Sequence, residues 1–281
     1  MRGKSVDTNG AQIFTESVGD PAHPPVLLLM GACASGVWWP EAFCGALAAR
    51  GRFVIRYDHR DTGRSTQDPP GEPSYTLADL ADDPLRILDA YGLASAHLVG
   101  MSLGGILAQM IALDHPDRVR TLTLLASAPL APADPSTPPM DPRVAAYYAR
   151  GSTLDWSDTE SAKAYSVEGW RVIAGTAHPF DEAHIRSLAE EDFARTPDMK
   201  ATLNHGWLEG GDGWSGRLHE LRAPVLVIHG TDDPVLPYGP AASLLGLLPG
   251  TTLCTLHGAG HELHPDDWPI ILDAIASHTV A

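Results

Sequence analysis

His97-Leu98-Val99-Gly100-Met101-Ser102-Leu103-Gly104-Gly105 runs from a short apolar segment through Gly-x-Ser-x-Gly into a stretch where Ile106, Leu107, Met110 and Ile111 recur at helical spacing. A strand that turns sharply into a helix forces the residue at the bend into a strained backbone. Glycines two positions to either side let the crossing backbones approach without Cβ clashes. Such a bend lifts the Ser102 hydroxyl clear of the sheet edge, and the helix starting at Leu103 adds free N–H groups and a positive end that favour a nearby anion. Ser102 is the candidate nucleophile, and the Leu103 N–H is a candidate oxyanion donor.

Outward from this turn the chain alternates between strand and helix. Asn9-Gly10 lies between two strand-like runs, 4–7 and 11–18, and marks an antiparallel hairpin. Val26 to Met30 and Phe53 to Tyr57 are continuous apolar runs of the kind covered on both faces. Between them, residues 40–50 read as a helix with Pro40 at its start and Gly51 after its end. A further helix is expected over 76–91, kinked at Pro84, and Thr121 to Leu125 is a sixth strand.

Pro129, Pro132, Pro135, Pro138 and Pro139 then interrupt the alternation. From 141 to 222 the chain reads as helices and loops, with four of its seven tryptophans, Trp156, Trp170, Trp207 and Trp214. The alternation resumes with strands at 225–229 and 252–256 and helices at 241–248 and 268–278. The expectation is an α/β protein: a mostly parallel eight-stranded sheet with helices on both faces, its core formed by 1–130 and 224–281, and a mainly helical lid inserted over 131–223.

A length of 281 residues suffices for a sizeable core, and a net charge of −16 argues against nucleic acid or an anionic membrane as partner. No run reaches the ~18 apolar residues of a membrane span, and no apolar signal segment follows the first residues. Cys33, Cys44 and Cys254 form no Cys-x-x-Cys and leave one over if any pair, which fits reduced thiols and a soluble cytoplasmic protein. The thirteen histidines include no His-Glu-x-x-His, so neither a metal nor a cofactor is expected, and the partner is a small molecule. The oligomeric state is not legible.

Parallel α/β sheets build their sites at the carboxyl ends of strands. There, Thr231-Asp232-Asp233-Pro234 offers two carboxylates and Gly258-Ala259-Gly260 delivers His261. A serine needs a neutral imidazole to take its proton, and the imidazole needs a carboxylate to hold its tautomer and stabilise its charged form. Asp233, fixed by the proline after it, is favoured over Asp232 as that acid. A carboxylate after the sixth strand is excluded, because none appears before Asp134. A second oxyanion donor is expected at the Gly31-Ala32 turn, from the Ala32 N–H. Cys33 beside it has nothing nearby in sequence to activate it. Trp38, Trp39 and the tryptophans of the insertion, Trp207 among them, are candidate linings of an apolar substrate pocket.

Gly100 to Gly105, Leu29-Met30-Gly31, Tyr57-Asp58-His59-Arg60-Asp61-Thr62-Gly63-Arg64-Ser65, Asp233-Pro234 and Gly260-His261 together resemble the α/β-hydrolase superfamily across nearly the whole chain. The 57–65 block with Ile111-Ala112-Leu113-Asp114-His115 is similar to the aclacinomycin methylesterase branch, which implies hydrolysis of a methyl ester on a polyketide. Two positions depart from the common pattern: Met30, where many relatives carry histidine, and Asp61, where most carry glycine. The 58–65 block is expected to form ion pairs and turns beneath the site rather than to touch substrate. The reading is a cofactor-free serine hydrolase of small carboxylic esters. Lactone or enol-lactone hydrolysis, perhydrolysis and a non-enzymatic ligand receptor are the alternatives on the same fold.

Overall fold

The computed structural model describes residues 1–131, 135, 137–248 and 250–280. Pro132 and Asp134 lie outside them. Eight strands form one sheet: β1 (Arg2–Asp7), β2 (Gln12–Val18), β3 (Pro25–Leu29), β4 (Phe53–Tyr57), β5 (Ala96–Met101), β6 (Val119–Leu125), β7 (Val225–Gly230) and β8 (Thr252–Leu256). Their order is β1-β2-β4-β3-β5-β6-β7-β8, with β1/β2 and β2/β4 antiparallel and every later pair parallel. The hairpin centred on Asn9-Gly10 supplies the antiparallel edge, with Gly10 at φ 81°.

The central strands are buried along their whole length because helices cover both faces. Alternate side chains feed two cores. Leu27, Leu29, Leu98, Leu122 and Leu124 meet α2 (Leu77–Ala90), α3 (Leu103–Asp114) and α7 (Tyr238–Leu247). Val26, Leu28, Val54, Val99 and Ile228 meet α1 (Glu41–Ala49) and α8 (Trp268–His278). Helix α2 begins with a capping box between Thr76 and Asp79 and carries Pro84 inside it.

Between β6 and β7 the described residues hold no strand. They form α4 (Pro142–Gly151), α5 (Thr159–Ile173), α6 (Glu182–Arg195) and short 3-10 turns. Asp141, Asp158 and Asp181 each cap the helix that follows, accepting from backbone N–H groups its first turn cannot bond internally. Among the described residues no helix is long and apolar enough to cross a membrane.

The 58–65 block forms the expected network. Asp58 accepts from the backbone N–H groups of Gly36 and Arg64 and pairs with Arg195 at 2.9 Å, and Arg60 pairs with buried Asp83 at 2.8 Å. Asp61 sits at φ 66°, a conformation that favours glycine. Its carboxylate accepts from the Tyr75 hydroxyl at 2.6 Å and Asn204 Nδ2 at 2.9 Å, contacts glycine could not make.

Candidate active site

Ser102 stands between β5 and α3 at φ 51° and ψ −118°, a strained conformation for a non-glycine residue. A Cβ on Gly100 would collide with the Gly104 backbone, and one on Gly104 with the carbonyl of Leu29. Both glycines of the motif are therefore required by close backbone approach. The bend is tied to β6, since Ser102 N–H donates to Leu125 O at 3.0 Å and Ser127 Oγ donates to Ser102 O at 2.8 Å.

Asp233 and His261 reach this turn from the loops after β7 and β8. His261 Nδ1 lies 2.8 Å from Asp233 Oδ2, leaving Nε2 as the ring nitrogen free to take a proton. The other carboxylate oxygen, Oδ1, accepts from the N–H groups of Val235 and Leu236, each at 2.8 Å. Burial opposes ionisation of Asp233, but hydrogen bonds from His229 and His261 hold its carboxyl well below the usual range. Asp232 is exposed instead and accepts from the hydroxyls of Thr231 and Thr176. Gly260 lets the His261 loop pass the 173–175 backbone, where His261 N–H donates to Ile173 O at 2.9 Å.

Gly31 lies against Ser102, and neither the Ala32 nor the Leu103 N–H has an acceptor among the described residues. Both amides are thus available to an incoming oxyanion. No hydrogen bond joins Ser102 Oγ to His261, but the two residues line one cavity of about 160 Å³. Cys33 lines it as well. Burial pushes its thiol up to about 12, so it supplies no thiolate to compete with Ser102.

Residues 24–267 match the alpha/beta hydrolase fold family. The chain belongs to the α/β-hydrolase fold family. It is 32% identical over 296 residues to rhodomycin D methylesterase DauP of Streptomyces sp. (strain C5), covering 100% of this chain and 99% of the relative. A hydrolase from Pseudomonas aeruginosa PA01 superposes with a TM-score of 0.75 at 25% identity, covering 99% of this chain and 98% of the other. Est816, an N-acyl homoserine lactone degrading enzyme, does so with a TM-score of 0.71 at 26% identity, covering 96% and 99%. This α/β-hydrolase is a carboxylic-ester hydrolase.

Of the tryptophans expected in the pocket of the hydrolase, Trp38 and Trp170 line the cavity, while Trp39 and Trp207 do not. Trp39 is fully buried and packs on Phe43 in the core, and Trp207 is 68% exposed. These two assignments are corrected by the fold. Trp38 stacks on Trp170 at the cavity while Trp39 packs on Phe43, and Trp207 ends a 3-10 segment whose buried positions are Ala201, Thr202, Asn204 and His205. The wall is completed by Trp170, whose ring stacks on Trp38 at 4.3 Å, and by Tyr147 and Tyr148. Buried Asp192 orients Trp38 by accepting from its Nε1 at 2.7 Å and from Ser35 Oγ at 2.6 Å.

Two buried histidines hold the candidate oxyanion turn. His59 Nε2 donates to Met30 O at 2.9 Å. His205 Nδ1 accepts from Cys33 N–H at 2.9 Å while its Nε2 donates to Arg60 O at 2.8 Å. Burial lowers the pKa of both rings, that of His59 to about 3, so both stay neutral, as these bonds require. Cys33 occupies φ 61°, and the bond to His205 helps hold that conformation. His205 is a candidate positioning residue, invisible in the sequence because 172 residues separate it from Cys33. His205→Ala is expected to lower kcat by roughly tenfold with little change in KM, less than the 10²- to 10³-fold of removing an oxyanion donor outright. His205→Gln, which can still accept and donate, should recover part of the loss. Equal kcat in wild type and His205→Ala would leave His205 with a packing role only.

Proposed function

We propose that the enzyme hydrolyses the methyl ester of an apolar, ring-bearing acid, with Ser102 as nucleophile, His261 as general base and acid, and Asp233 as the orienting carboxylate. The observation that carries this reading is the buried 2.8 Å Asp233–His261 pair in one cavity with Ser102 and an aromatic wall. Ser102 Oγ attacks the carbonyl carbon as His261 Nε2 takes its proton. The tetrahedral oxyanion is held by the Ala32 and Leu103 N–H groups. Collapse breaks the bond to the alkoxy group, which leaves as methanol with the proton from His261, and water repeats the sequence to free the acid. Each proton transfer in this scheme uses the chain's own residues.

Residues 131–223 act in this reading as a lid, since Tyr147, Tyr148 and Trp170 wall the cavity. A volume of about 160 Å³ is close to that of cavities known to hold a single benzene-sized group. A polycyclic acid would seat its ester and adjoining ring there and place the rest against a displaced lid. The similarity to a methylesterase over the full chain supports the leaving group, and the three free cysteines support a reducing, cytoplasmic setting. Similarity to the lactone-degrading Est816 makes lactone opening the second reading. Comparing kcat/KM for methyl esters of aryl and alkyl acids, longer alkyl esters and lactones decides between them. Methyl aryl esters should rank first, and a lactone ranking first would replace the proposal.

The rate should fall as pH drops, because His261 must be neutral to accept the Ser102 proton. Asp233 does not own that limb: its carboxyl is held below the usual range and stays ionised there. The same depressed value contributes stability above the unfolded carboxyl value, about 3.9, and that contribution disappears as pH falls through the folded value. Asp233→Asn removes the charge that favours the imidazolium, so the midpoint of the acid limb in kcat/KM should move to lower pH. An unmoved midpoint would assign the limb to another group.

A further inference from the structure

We propose that His178, His264 and Asp266 form a binding site for a divalent transition-metal ion that clasps the segment between α5 and α6 to the loop following His261. His178 Nδ1 lies 3.6 Å and His264 Nδ1 3.8 Å from Asp266 Oδ2, and one ligand atom from each residue lies within 4.8 Å of the others. Ligands at about 2.1 Å from a tetrahedral ion stand about 3.4 Å apart, so small side-chain adjustments close the set around an ion.

The second observation is how the rings are held. His178 Nε2 donates to Oδ1 of largely buried Asp267 at 2.9 Å, and His264 Nε2 donates to Pro179 O at 3.3 Å. Each ring thus keeps a proton on the nitrogen facing away from Asp266 and turns its Nδ1 toward that carboxylate. A carboxylate or carbonyl behind a ligating histidine is the arrangement that orients metal-bound imidazoles. The Asp266 N–H donates to His264 Nδ1 at 3.2 Å, so that nitrogen is unprotonated, and this long bond must give way for Nδ1 to ligate an ion. The rings stack at 4.5 Å and 15°.

Two imidazoles and one carboxylate suit Zn²⁺, Co²⁺, Ni²⁺ or Cu²⁺ rather than Mg²⁺ or Ca²⁺, which prefer all-oxygen sets. Asp266 is exposed, which leaves a fourth position for water. The site strengthens an existing seam, in which Gly175 N–H donates to Glu262 Oε1 at 2.8 Å and the Thr176 and Ala177 N–H groups both donate to Gly258 O. The ion would therefore hold the candidate lid against the loop that carries His261. No sequence motif marks the site, because His178 is far along the chain from His264 and Asp266.

The test titrates chelator-treated full-length enzyme with Zn²⁺ by calorimetry and with Co²⁺ by visible absorption. One equivalent should bind, with the intense bands of tetrahedral Co²⁺ and a rise in Tm. His178→Ala and His264→Ala should each abolish stoichiometric binding, and Asp267→Asn should weaken it by about 10- to 100-fold through the lost orienting bond. If an alanine variant does not fold, His178→Gln makes the same test with a side chain that can keep the bond to Asp267. Less than stoichiometric binding by wild type, or equal affinity in wild type and the His178→Ala/His264→Ala double variant, would overturn the proposal.

Discussion

Ser102→Ala is expected to lose ester turnover by on the order of 10³-fold or more while the protein folds and binds product as before. The loss is large because the other nucleophilic side chains of the cavity are not activated: the Cys33 thiol is held protonated by burial, and Ser166 has no hydrogen bond to His261 among the described residues. The fold survives because the turn is held by the Ser102 main chain, through Leu125 O and Ser127 Oγ, and by the close approaches of Gly100 and Gly104. The Ser102 side chain makes no hydrogen bond among the described residues, and alanine meets the same backbone strain as serine. Burst kinetics with a chromogenic ester, beside thermal unfolding of both proteins, checks both halves. Hydrolysis retained at the wild-type rate would remove Ser102 from the mechanism.

The second large effect is expected at Asp233, where Asn should lower kcat by up to about 10⁴-fold, against a mild effect of Asp232→Asn. The hydrogen bonds around the side chain supply the reason. One oxygen of Asp233 accepts from two backbone N–H groups, which forces the carbonyl oxygen of an asparagine into that position. Its NH2 group must then face His261 Nδ1, which turns from donor to acceptor. The ring proton is left on Nε2, opposite Ser102, where a base is needed. Asp232 has no bond to His261, and its variant loses only exposed contacts to Thr231 and Thr176. A severe loss in Asp232→Asn with a mild one in Asp233→Asn would exchange their roles.

The same pair shows where sequence reading stops. The strands, the Ser102 turn and the His261 loop are legible because their signals are local: apolar runs of strand length, glycines where backbones cross, a cap before a helix. The sequence also narrows the acid to two neighbours in one loop. Choosing between them takes tertiary structure, because successive residues of a loop point to different sides and only packing decides which side is buried against His261. Trp38 and Trp39 pose the same problem, and one lines the cavity while the other fills the core.

By itself, the amino-acid sequence determined the order of strands and helices along this chain, the strained serine between two indispensable glycines, and the histidine and acid-bearing loop that follow. Tertiary structure alone decided that β3 lies between β4 and β5 in the sheet, that Asp192 accepts from Trp38, that His205 accepts from the Cys33 N–H, and that His178 meets His264 and Asp266. The division has a physical cause. Backbone conformation and amphipathic period depend on near neighbours. A contact across 154 or 172 residues of chain exists only once the burial of two whole cores has set the distance between the elements that carry it.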